Sequence, residues 1–163
     1  MCGRREKGGL LLRVFVADDH PAVRQGLRAF LGAEPEVEIV GEAAHGERAL
    51  AAIRALRPDV AVLDLRMPGL TGIEVARRLR QEQLPTAVVM LSMHAEQADI
   101  DSALAAGALG YVVKEDASAS LMRAIRAAAR GEVYLSPTRA GARPAGGPAP
   151  TEAELARRLT LPP

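Results

Sequence analysis

Two rhythms alternate along this chain. Short, unbroken apolar runs read as strands buried on both faces, and apolar residues recurring every three or four positions read as helices. Residues 11–17 are apolar apart from Arg13 and close on Asp18 and Asp19. Pro21 then suits the first turn of a helix, with Asp19 or His20 as its cap, and Val23, Leu27, Phe30 and Leu31 fall on one face. Gly32 and Pro35 close that helix. Residues 37–40 alternate with acids, which predicts a half-exposed edge strand. A second helix over 47–57 turns Ala49, Ile53 and Leu56 inward and stops at Pro58. Residues 60–63 are apolar without interruption and end in Asp64, and a loop with Met67, Pro68 and Gly69 follows. Thr71, with Glu74 three positions on, predicts a capping box. Gly72, Val75, Ala76 and Leu79 form the inner face of the helix it opens. A fourth buried strand over 86–91 ends in Ser92. The alanine-rich helix over about 95–106 has a weak apolar stripe, so it is expected to be the least stable, and Gly107 terminates it. A fifth strand over 109–113 ends in Lys114. Ser118 or Asp116 opens the last helix, with Leu121, Ile125 and Ala128 inward and Gly131 at its end.

Strand and helix patterns therefore alternate about five times. That predicts an α/β domain, a doubly wound parallel sheet with helices on both faces and right-handed crossovers. The length, 163 residues, suits one domain with a tail. The expected division is a disordered leader at 1–10, the domain at 11–131, and a Pro/Gly-rich linker at 132–163. A brief helix over 151–159 in that linker would be marginal alone. Aromatics are 2% of the chain, so the core must be built from Val, Leu, Ile and Ala. With a net charge of +1, the charge balance implies no strongly basic surface for nucleic acid. Cys2 is the one cysteine, which rules out an internal disulfide and fits a reducing compartment. No apolar run reaches the length of a membrane span, and Arg13 interrupts the early leucines, so no secretory signal is expected either. These features together give a cytoplasmic expectation.

Four strands end in groups that can do chemistry: Asp18 with Asp19, Asp64, Ser92, and Lys114. A parallel sheet puts all four ends on one edge, where open α/β sheets bind ligands. Each residue taken singly is explained as well by a cap or a solvated loop. Their being in phase is what points to a site. Three close carboxylates repel, and one would stay protonated near neutral pH unless a hard divalent cation such as Mg²⁺ joined them. Acids, a metal, an ammonium and a hydroxyl are equipment for holding a phosphoryl group. The chain has neither a Walker loop nor a G-x-G-x-x-G turn, so a nucleotide is not the obvious ligand. The acceptor must then be a side chain, and Asp64 is the candidate.

The segments VFVADDHP at 14–21, VLDLRMPG at 62–69, LSMH at 91–94 and GYVVK at 110–114 resemble the receiver domain of bacterial two-component response regulators, closest in flavour to the NarL/FixJ subfamily. The likeness extends over about 11–136. It implies a flavodoxin-like sheet of five strands in the order 2-1-3-4-5. It also implies that Asp64 takes a phosphoryl group from a sensor histidine kinase. Asp19 would bind Mg²⁺ directly, Asp18 largely through water, and the backbone carbonyl of Arg66 would complete the metal shell. Lys114 would contact the phosphoryl oxygens and Ser92 would donate its hydroxyl to one of them. Tyr111 occupies the switch-aromatic position: Ser92 moves inward on phosphorylation, and the vacated space admits the ring. Arg66 and His94, each two residues past a site residue, flank the phosphoryl position and are expected to tune its lifetime; otherwise both are simply exposed.

Glu115 stands where many receivers have proline, which argues against a cis-proline turn there. The NarL/FixJ resemblance would also lead one to expect a helix-turn-helix after the linker, and the 151–159 fragment is too short to be one. The chain is therefore expected not to bind DNA specifically by itself, and a homodimer is left open. Two other readings compete. One is a receiver-like interaction module that is never phosphorylated. The other is a phosphatase of the haloacid dehalogenase type, whose second acid would have to stand where Arg66 does.

Overall fold

The computed structural model of the chain describes residues 11–136. The expected leader, the tail from 137, the 151–159 helix and Cys2 lie outside the described residues. Six parallel strands form one sheet in the order β2-β1-β3-β4-β5-β6. They are β1 (Leu12–Ala17), β2 (Val37–Ala43), β3 (Val60–Asp64), β4 (Ala87–Ser92), β5 (Gly110–Val113) and β6 (Tyr134–Leu135). The helices are α1 (Pro21–Gly32), α2 (Gly46–Leu56), α3 (Gly72–Gln81), α4 (Gln97–Ala105) and α5 (Ala117–Ala129). No helix among the described residues is long and apolar enough to cross a membrane.

Successive side chains of a strand point to opposite faces, so each buried strand feeds two cores. Val60 and Val62 of β3 pack with Val14, Val16, Val89 and Leu91 under Leu27 and Leu31 of α1 and Leu121 and Ile125 of α5. Ala61 and Leu63 pack on the other face with Phe15, Met90 and Tyr111, under Ile53 of α2, Val75 and Leu79 of α3, and Ile100 of α4. This is why the central strands read as unbroken apolar runs. The Thr71–Glu74 capping box forms as its spacing predicts, and Gly72, Val75, Ala76 and Leu79 are the buried residues of α3.

Three elements differ from the sequence reading. β2 continues past Val40 to Ala43, because it stays paired with β1 through Ala17 and Ala43 across a register shift at Val14 and Phe15. Its later residues are half-buried, so they carry no apolar signal. Residues Lys114–Asp116 form a 3-10 turn before α5, and Asp116 holds the N-cap position without a side-chain cap hydrogen bond. The sheet has a sixth strand, β6, inside the stretch assigned to the linker. It pairs with β5 through Gly110–Tyr134 and Tyr111–Leu135. Two residues are too few to show a period, so pattern reading could not find it.

Candidate functional site

The strand register lines up the C-terminal ends: Ala17 pairs with Leu63, Asp64 with Leu91, and Ser92 with Val113. The residues at or just past those ends converge. Carboxylate oxygens of Asp18, Asp19 and Asp64 and a ring nitrogen of His20 all lie within 4.8 Å of one another. Beside them, a small open cavity of about 100 Å³ is lined by His20, Asp64, Arg66, Ser92, His94 and Lys114, among others.

Local structure fixes each member. The Asp18 amide donates to the Ala43 carbonyl at 3.1 Å, and Arg24 Nη1 donates to the Asp18 carbonyl at 2.6 Å. That clamps the end of β1 from both sides. The Asp18 side chain is fully buried, and its Oδ1 accepts from the His20 amide at 2.9 Å. Asp64 is set by α3. The Gly72 amide donates to the Leu65 carbonyl at 3.0 Å, and a Cβ at Gly72 would stand 2.4 Å from the Asp64 carbonyl oxygen. Only a residue without a side chain lets α3 start that close to the acid.

Lys114 is 1% exposed, a buried cation that must be paired. Its Nζ lies 2.9 Å from Asp18 Oδ2 and 3.6 Å from Asp64 Oδ1. The Asp18 oxygen is at ion-pair distance but out of line for a hydrogen bond. Burial pushes the Asp64 carboxyl up to about 7; Lys114 opposes this, and the neighbouring Asp18 and Asp19 add to it. An acid whose ionised form is disfavoured by burial and like charge is one that a cation would relieve.

The same atoms test a metal. Asp19 Oδ1 and Asp18 Oδ2 are buried without a hydrogen-bond partner, and the surrounding donors are mostly carboxylate oxygens. Hard oxygen donors left without hydrogen bonds fit Mg²⁺. The cluster is of the acidic type that can hold such an ion.

His20 is the residue that sequence reading placed only as a helix cap. It does precede α1, but it makes no side-chain cap. Its Nδ1 turns back to lie 3.1 Å from Asp18 Oδ1 and 3.2 Å from Asp19 Oδ1. Its place directly after two acids was the available signal.

Ser92 is buried, and its Oγ accepts from the His94 amide at 3.1 Å. Tyr111 does not reach the acids. Its ring is fully buried, and its hydroxyl donates to the His94 carbonyl at 2.9 Å. Burial pushes the phenol up to about 12, against a hydrogen bond with Ser92, so it remains a proton donor. The ring is buried while Ser92 is still bonded to the His94 amide. The Arg66 side chain points out of the cavity toward Asp99. Lys114 was expected to serve the phosphoryl group, and here its nearer partner is Asp18.

Residues 14–126 match the response regulator receiver domain. The chain is 41% identical over 130 residues to the transcriptional regulatory protein NarL of Mycobacterium tuberculosis, covering 80% of this chain and 60% of that protein. It is 37% identical over 123 residues to the nitrate/nitrite response regulator protein NarL of Escherichia coli, covering 76% of this chain and 57% of that protein. The chain thus spans about 60% of the length of these curated relatives. Among solved structures it resembles the signal receiver domain of a NarL response regulator from Mycobacterium tuberculosis, with a TM-score of 0.73 and 42% identity over 75% of this chain and 98% of that one. A LuxR-family two-component response regulator from Aurantimonas gives a TM-score of 0.76 and 37% identity over 80% of this chain and 94% of that one.

Proposed function

The chain belongs to the response regulator receiver family, and on that premise we propose that Asp64 accepts a phosphoryl group from a sensor histidine kinase in a Mg²⁺-dependent reaction. Receivers are signalling phosphoacceptors that pair with histidine kinases rather than conventional enzymes. The observation that carries the reading is the buried Lys114 paired with two members of a three-acid cluster beside a cavity that Asp64 lines.

In this reading an Asp64 carboxylate oxygen forms a bond to phosphorus as the phosphorus–nitrogen bond of the kinase phosphohistidine breaks, the electron pair leaving with the imidazole. Asp18, Asp19, Asp64 and the backbone carbonyl of Arg66 would hold Mg²⁺, which when bound supplies neutralisation of the acids and of the phosphoryl oxygens. Lys114 exchanges its ion pair with Asp18 for the new phosphoryl oxygens, and Ser92 donates its hydroxyl to one of them. Drawing Ser92 inward takes it from the His94 amide, the residue that also accepts from Tyr111. The loop before α4 is therefore where the change leaves the site, with Tyr111 as the reporting aromatic. Arg66 and His94 set the phosphoryl lifetime from the cavity rim.

The relatives named above are regulators of transcription, and we assign this receiver the control of such an output in segments joined to it. The phosphatase reading needs a second acid two residues past Asp64, and Arg66 stands there with its side chain turned to Asp99.

Incubation with acetyl phosphate and Mg²⁺ tests the proposal by intact mass. The expected result is one labile phosphoryl group per chain, absent in Asp64→Asn and absent when the metal is chelated. An unlabelled wild-type protein, or steady turnover of phosphate esters, would overturn it.

A further inference from the structure

Arg66 lines the cavity beside Asp64, yet its guanidinium is committed elsewhere: Nη2 lies 3.5 Å from Asp99 Oδ2. Asp99 stands in the first turn of α4. The pair therefore ties the acceptor loop to α4, whose anchorage is slight. Only Ile100 and Ala103 of α4 are buried, and Glu96 caps it with no side-chain hydrogen bond. Arg80 Nη1 holds the far end through the Ala105 carbonyl at 2.7 Å. At the near end, the Tyr111 hydroxyl holds the His94 carbonyl from inside, and Arg66 holds Asp99 from outside. Arg66 and Asp99 act on the Tyr111 phenol in opposite senses, so the three groups share one electrostatic neighbourhood.

The Arg66 side chain is 69% exposed and that of Asp99 is 20% exposed. A pair so open is weak and easily exchanged. A phosphoryl group carries a charge of about −1.5 to −2 with three acceptor oxygens, against the single charge of a carboxylate. Once Asp64 bears it, that stronger anion sits in a cavity that Arg66 already lines. We propose that Arg66 is a counter-ion shared in sequence, pairing with Asp99 while Asp64 is free and passing to the phosphoryl group when it forms, and that its departure releases the first turn of α4. Asp99 is thus a positioning residue, which keeps the guanidinium out of the cavity until the acceptor is charged. The inference rests on the phosphoacceptor reading above and adds to it the wire by which the charge is felt at α4.

Hydrogen exchange of peptides covering residues 97–101, measured with and without acetyl phosphate and Mg²⁺, tests it, with phosphoryl stoichiometry read by intact mass in the same samples. In the wild type, labelling should accelerate exchange roughly two- to fivefold, the range an exposed ion pair can impose. In Asp99→Asn the faster exchange should be present before labelling and should not increase on labelling. Asp99→Glu, which restores a carboxylate, should restore both the slow exchange and the response. Labelled wild type with unchanged exchange overturns the inference alone. So does an Asp99→Asn variant that keeps the full response, because release would then run through Tyr111 without Arg66. A wild-type protein that takes no label overturns the phosphoacceptor reading together with this one.

Discussion

Asp64 holds its proton because of burial and neighbouring acids, and its titration gives a signed prediction. An ordinary aspartate has lost its proton near 3.8, whereas burial and the neighbouring acids hold this one up to about 7. Between those values the native state keeps a proton that the unfolded chain has released, so this group's contribution to stability falls as pH rises through the window and levels off above it. In metal-chelated protein, Asp64→Asn should therefore be no more stable than wild type near about pH 4, and more stable by a few kcal/mol above about pH 7, by denaturant midpoint. The difference between the two proteins is the readout, because other acids run the opposite way. Glu36 is held low by its hydrogen bond from Arg126, and Glu42, raised by burial, is pulled lower by Arg28 and Arg24. Their contribution is present above the usual carboxylate range and is lost as pH falls. A difference that shrinks with rising pH would show that Lys114 dominates Asp64 instead of burial.

At the scale of elements, α3 shows how a helix start can set a site. Its capping box uses Thr71 Oγ1, which accepts from the Glu74 amide at 3.2 Å, and Glu74 Oε1, which accepts from the Thr71 amide at 2.8 Å. Thr71→Ala should cost about 1 kcal/mol of stability, the usual worth of such a cap, and leave phosphorylation of Asp64 nearly intact. Gly72→Ala should do the reverse in proportion: the new methyl meets the Asp64 carbonyl, so the labelling rate should fall more than the cap variant's does. Comparing labelling rates at matched stability separates positioning from simple loss of fold. The capping box was legible because it is written within four adjacent residues, and the strand ends were legible because buried parallel strands leave unbroken apolar runs that stop at the acids. What the sequence hid is contact between distant segments. The choice of Lys114 for Asp18 over Asp64 depends on how β5 lies against β1 and β3, and no spacing encodes it. The return of His20 onto Asp18 and Asp19 was local, but a histidine before a Pro-started helix reads equally well as its cap.

Across the whole molecule, the sheet closes on one side with an element too short to be stable alone, and β6 is held by what it touches. The Tyr134 amide donates to the Leu109 carbonyl at 2.8 Å, and the Ser136 amide donates to the Tyr111 carbonyl at 2.9 Å. Ser136 is fully buried; its hydroxyl donates to Asp116 Oδ2 at 2.8 Å and accepts from the Val113 amide at 3.4 Å. The strand therefore lies against the backbone of Tyr111 at one point and the turn after Lys114 at the other. Ser136→Ala removes the acceptor of a buried amide and a donor to a half-buried carboxylate, which should cost about 1–3 kcal/mol. If β6 works as a strap, that loss should appear first as faster proteolysis over residues 131–136, below the main unfolding transition, and not as a uniform shift of the whole curve. The chain has two tyrosines and no tryptophan, so tyrosine emission in a Tyr134→Phe background comes from Tyr111 alone. Adding Ser136→Ala to that background should change the Tyr111 signal if the strap supports the ring. An unchanged signal, with proteolysis rising only together with global unfolding, would mean that β6 merely covers the β5 edge and has no hold on Tyr111.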